Sequence, residues 1–157
     1  MIKKHMIALY INTGTTETPI WTRVKKSTKL TINMDAKTED YDYIADESPT
    51  TELDKYQPKI EKNPLTMYEG EPDFEAIFNY FYDMKVGDDA KVDVLVVFMF
   101  SPETGGAYKA WKNRSVITIE EMDAVASELS FNLLFGGTME KGTATIASGV
   151  PTFTPAE

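Results

Sequence analysis

Side chains able to do chemistry are few in this chain and poorly spaced for it. His5 is the single histidine among 157 residues, and there is no cysteine. A Ser-His-Asp triad would depend on that one imidazole beside the N-terminus, and no GxSxG elbow is present. There is no HExxH and no histidine cluster for zinc. Thiolate metal sites and disulfides are excluded, which fits a protein made in a reducing cytosol. Gly105-Gly106 and Gly136-Gly137 lack the context of a phosphate loop and read as turns or bulges. Glu39, Asp40, Asp42, Asp46 and Glu47 raise hard-cation binding, but the EF-hand spacing is missing, so a solvated or partner-facing segment is expected. Asp88, Asp89 and Asp93 are expected to be solvent-facing turn residues. With 25 Asp and Glu in the chain, a chance carboxylate pair suited to glycoside hydrolysis means little. Trp21 and Trp111 have the rings to stack a ligand, although core or interface anchoring is their commoner use. The sequon Asn113-Arg114-Ser115 is taken as accidental. The expectation is no enzyme: no catalytic residue, no metal and no cofactor.

Composition sets wider bounds. A length of 157 residues with 42% hydrophobic content suits one domain, 1–157, with a real core. Twenty-five acidic against 16 basic residues give a net charge of -9. That balance argues against nucleic-acid binding by phosphate neutralisation. An acidic lining would also suit a conduit that DNA passes without sticking, which composition alone does not establish. No apolar run approaches the roughly 20 residues of a membrane span. MIKKHMIALYIN at the start lacks the long apolar core of a signal peptide.

The elements follow from periodicity. In SELSFNLLF (127–135), Leu129, Phe131, Leu133 and Phe135 take one face and Glu128, Ser130, Asn132 and Leu134 the other, a half-buried strand. The run 142–148 reads as a neighbouring strand of the same sheet. KVDVLVVFMF (91–100) is apolar throughout, as in a strand covered on both faces. Residues 108–122 read as a long strand, and 28–34 as a short one with Leu30, Ile32 and Met34 on one face. One helix is expected over 72–85: Pro72 opens it, Phe74, Ile77, Phe78 and Phe81 form its apolar stripe, and Gly87 ends it. The expected core comprises Leu30, Ile32, Phe74, Phe78, Phe81, Val96, Phe98, Phe131 and Leu133. Residues 35–66, acidic and carrying Pro49, Pro58 and Pro64, read as a long insert with a short β pairing near Asp42–Ala45. The fold class is mainly β (α+β): a two-sheet antiparallel sandwich or barrel with one flanking helix.

The order of segments resembles a known family. WTRVKKSTKLTIN (21–33), EDYDYIADESPTTELDKYQPKI (39–60), MYEGEPDFEAIFNYFYDMKVG (67–87), KVDVLVVFMF (91–100), YKAWKNRSVITI (108–119) and FGGTMEKGTATIASGVPTFTP (135–155) are together similar to the tail tube protein, or major tail protein, of tailed bacteriophages infecting Gram-positive bacteria. The likeness covers nearly the whole chain in one order, with no single diagnostic motif. It implies a virion structural protein, synthesised in the host bacterial cytoplasm, whose homo-hexameric rings stack into a tube for DNA ejection. It also implies contacts with a tape measure protein and with tail terminator or baseplate proteins, while genomic DNA crosses the lumen without specific binding.

Under that resemblance the 35–66 insert becomes the inter-ring loop, with Tyr41, Tyr43, Asp46, Glu47, Pro49, Leu53 and Tyr56 as contacts. The tail 149–157 would lie extended against a neighbouring subunit through Phe153. The hairpin of 108–120 with 127–148 would line the lumen with Lys112, Glu128, Ser130, Asn132, Thr143 and Thr145. Two alternatives stand beside this one: the inner tube of a contractile tail-like particle, such as a bacteriocin or injection system, and a β-sandwich carbohydrate-binding module.

Overall fold

Six consecutive residues, Val92 to Val97, are buried, which a strand achieves only when both faces of its sheet are covered. The computed structural model, which describes residues 1–156, shows what covers them. Among the described residues there are eleven strands and one α-helix: β1 (Ile7–Asn12), β2 (Trp21–Arg23), β3 (Ile32–Asn33), β4 (Ala36–Tyr41), β5 (Thr50–Tyr56), β6 (Lys59–Thr66), α1 (Pro72–Tyr82), β7 (Lys91–Pro102), β8 (Tyr108–Asp123), β9 (Glu128–Phe135), β10 (Glu140–Ala147) and β11 (Val150–Pro155). The protein is mainly β, its sheets are antiparallel, and one helix flanks them, as the sequence leads one to expect.

The main sheet runs β2-β1-β7-β8-β9-β6-β3. It rolls onto itself. Thr28 N donates to Pro64 O (3.3 Å) and Thr66 N to Lys26 O (2.9 Å), so the chain just after β2 is tied to β6. Inside the roll, Leu9 and Ile11 of β1, Val92, Val94 and Val96 of β7, Leu129, Phe131 and Leu133 of β9, and Ile77 of α1 form one core. On the other face, Ala8, Tyr10, Leu95, Val97, Ala110 and Ala144 form a second cluster, with Ile146 and Phe153 of the β10–β11 hairpin packed against it. Each fully buried Leu, Val or Phe stabilises the fold by roughly 1.5–3 kcal/mol.

β8 is the spine. One of its edges pairs with β7. The other is shared end to end: Phe135 of β9 lies opposite Ser115, and Glu140 of β10 lies opposite Lys112. The segments expected to be neighbouring strands are therefore successive parts of one strand line, broken at 136–139. Asn113 bridges the break. Its Nδ2 donates to Gly136 O (2.7 Å) and its Oδ1 accepts Gly136 N–H (3.0 Å), so the side chain stands in for a missing backbone partner. Asn113 is buried by this role, which removes the sequon from the surface.

Several expectations need correction. Residues 35–66 are not one insert. The stretch 36–56 is a separate two-stranded hairpin, β4–β5, and its turn occupies the Asp42–Ala45 region where pairing was expected. The stretch 59–66 is β6, paired to β9 in the main sheet with Ile60 and Leu65 in the core. The C-terminal tail does not lie free for a neighbour: β11 pairs with β10 along its whole length, and Phe153 packs into the second cluster. The ring needs Gly142 beneath it, because a Cβ there would stand 2.8 Å from Phe153 Cζ. The helix ends at Tyr82, where Met84 turns into the left-handed region (φ 49°), before Gly87 is reached. Its inward face carries Asp73, Phe74, Ile77 and Tyr80; Phe78 is half-buried outside both clusters and Phe81 is exposed. Asp93 is buried and paired to Arg114 (3.2 Å) rather than solvated.

Candidate assembly interface

A two-stranded ribbon has no hydrophobic interior of its own, and β4–β5 shows it: every residue of β5 and all of β4 except Tyr41 are exposed. Strands of six and seven residues carry the turn roughly 20 Å from the hairpin's base. What holds the ribbon is local. The Tyr41 and Tyr43 rings stack at 5.6 Å, Tyr41 Oη donates to Glu39 Oε2 (2.6 Å), and Thr51 Oγ1 donates to Asp40 Oδ1 (2.6 Å). The hydrogen bond to Glu39 raises the Tyr41 phenol above its ordinary value. At the base, Lys37 and Lys59 both reach Asp35 (3.2 and 3.6 Å), and Lys59 also reaches Glu61 (2.7 Å). These bonds hold the Asp35 carboxyl below its usual range, the one from Lys37 foremost.

The hairpin brings together seven of the residues marked for inter-subunit contact. Tyr43, Leu53 and Tyr56 are each about half exposed; Asp46, Glu47 and Pro49 sit in or beside the open turn, and Tyr41 is half-buried. Ile44, not singled out by the sequence, is fully exposed at the tip. Three large apolar or aromatic side chains and an isoleucine are thus held out in water along one ribbon.

The residues marked as lumen-facing fall on two faces. Lys112, Ser130 and Asn132 share one, because Thr118, an even number of positions after Lys112 on β8, lies opposite Asn132, and Ser130 is two residues from Asn132 on β9. Glu128 follows Ser130 two residues back on β9. Thr143 lies opposite Lys109, so Thr143 and Thr145 belong to the other face. Two of the residues have duties within the fold. Asn132 Oδ1 accepts Lys62 N–H (2.7 Å), and its Nδ2 donates to Glu120 (2.8 Å) and Thr118 (3.1 Å). Lys62 is the left-handed residue (φ 48°) of a bulge in β6, and Asn132 satisfies the amide that the bulge frees. Lys112 Nζ lies 5.9 Å from the centroid of the Phe153 ring.

The two tryptophans are not a joint platform. Trp111 meets Phe98 edge-on at 5.1 Å against the inner core, while Trp21 packs against the second cluster. His5 is exposed. No helix among the described residues is long and apolar enough to cross a membrane.

No family model matches the chain, and no curated protein matches it in sequence. Among solved structures it is similar to a chain of the anti-feeding prophage baseplate, determined by cryo-electron microscopy with six-fold symmetrisation. The identity is 9%, the TM-score 0.43, and the overlap spans 86% of this chain and 89% of that one.

Proposed function

We propose that the chain is a structural subunit of a phage tail, a tail tube protein whose copies form rings of six that stack into a conduit for DNA. The observation that carries this reading is the β4–β5 hairpin. A domain that completes two cores elsewhere extends a ribbon whose Tyr43, Tyr56, Leu53 and Ile44 stay in water. Covering such a ribbon with another surface would bury these side chains, as aromatic residues are buried at interfaces. The sequence resemblance supplies the identity of that surface, a second copy in the next ring. The polar outer face of β8–β9 and the net charge of -9 agree with a wetted wall that repels phosphate.

Removal of residues 37–55, replaced by a short glycine-serine link between Ala36 and Tyr56, tests the reading. The shortened chain is expected to keep its circular dichroism and its cooperative unfolding, because the hairpin lends nothing to either core. It is expected to form no tubes under conditions where the full chain does. Tubes of normal length from the shortened chain would contradict the assignment.

A further inference from the structure

The acidic hairpin has a counterpart on the same molecule. A cleft of about 570 Å³ lies between the start of β1, the segment 23–30 and β6. Lys4, Arg23, Lys25 and Lys29 line it, and no carboxylate does. In a chain of net charge -9, residues 1–34 hold six Lys and Arg against Glu17 alone. None of the four lining cations forms an ion pair among the described residues. The floor is apolar, from Ile7, Leu9 and Leu30.

The cleft is built, not incidental. The buried Asp73 accepts the N–H groups of both Lys25 and Lys26 (3.0 and 3.1 Å), which fixes the segment that carries the cations. Asn63 lies in the lining, is 1% exposed, and has an Nδ2 with no partner. Turning its amide would give Nδ2 to the Ser27 hydroxyl and leave Oδ1 bare instead, so one buried polar atom stays unsatisfied either way.

We infer that this cleft receives the β4–β5 hairpin of a second copy of the chain. Residues 36–56 carry seven carboxylates against Lys37 and Lys55. At their tip, Tyr43 and the fully exposed Ile44 stand among Asp42, Asp46 and Glu47. Apolar tip ringed by acids meets apolar floor ringed by cations, a match in both respects. Among the described residues, and apart from the β4–β5 pairing itself, no hydrogen bond or ion pair ties residues 38–56 to the rest of the chain, so the contact is made between copies, head to tail. The inference rests on the self-assembly reading only in naming the partner as another copy.

Charge reversal tests it. One chain carries Lys25→Glu and Lys29→Glu; the other carries Glu47→Lys and Glu52→Lys. All four side chains belong to exposed residues, and unchanged thermal unfolding verifies both folds. In sedimentation velocity each reversed chain alone is expected to associate at least about tenfold more weakly than the native chain, and an equimolar mixture to recover association. Raising salt from about 50 to about 500 mM should weaken the native contact by about tenfold. If both reversed chains associate like the native one, the cleft contact is overturned while self-assembly stands. If the mixture pairs but the native chain makes no rings or tubes, the cleft contact stands and the tube reading falls. If neither the native chain nor the mixture associates, the inference is overturned.

Discussion

Replacing Phe131 with alanine empties a fully buried site among Leu129, Leu133, Ile117 and Ile77. Chemical denaturation is expected to show a loss of about 3–5 kcal/mol. Phe78→Ala should cost only about 1–2 kcal/mol, because that ring stacks on Phe74, Phe81 and Tyr82 (5.6–6.0 Å) outside both cores. A loss at Phe78 equal to that at Phe131 would place the helix's buried face where the sequence suggested. The stripe Phe74, Ile77, Phe78, Phe81 is a sound period-3.6 pattern, but such a stripe fixes a helix's face only to within a neighbouring position. Here Asp73 is buried, bonded to the Lys25–Lys26 backbone, and on the same helix Tyr80 faces inward and Phe81 outward. That bond joins residues far apart in sequence, and periodicity has no access to it. The paired roles of Asn113 and Asn132 were equally hidden, since each completes a defect, a strand break or a bulge, that exists only once the sheet has formed.

Strands with one dry face were plain in the sequence, and strands without one were not. SELSFNLLF and KVDVLVVFMF declare their burial by alternation and by continuous apolar character; β9 buries Leu129, Phe131 and Leu133, and β7 is buried from Val92 to Val97, with Phe100 exposed beyond. β6 was concealed because Ile60 and Leu65 are an odd number of residues apart; only the bulge at Glu61–Lys62 brings both inside. The hairpin β4–β5 was concealed because neither of its faces is buried. Its base has a pH dependence whose sign is fixed. The Asp35 carboxyl sits below its ordinary 3.8, chiefly through the Lys37 hydrogen bond, so its contribution is complete above that value and is lost as pH falls through the lower folded value. Lys59 sits above its ordinary 10.5, chiefly through Glu61, so its contribution is complete below that value and is lost as pH rises through the higher folded one. The Asp35 side-chain carboxyl resonance followed by NMR should titrate below 3.8. Lys37→Ala should move that titration back up toward 3.8. An Asp35 titration unchanged in the variant would contradict the role given to Lys37.

At the scale of the whole molecule, the chain divides its labour by polarity. Two apolar clusters back to back on β1, β7 and β8 make a rigid body. An acidic ribbon and a basic cleft are left as its two unmatched surfaces. A subunit with complementary and non-identical surfaces associates heterologously, which produces rings or open stacks rather than two-fold pairs. Electron microscopy of the concentrated native chain, alongside particles isolated with it, is expected to show rings of six subunits stacked into a hollow tube. A chain that remains monomeric at high concentration, with no tube built from it in the isolated particles, would overturn the tail-tube reading.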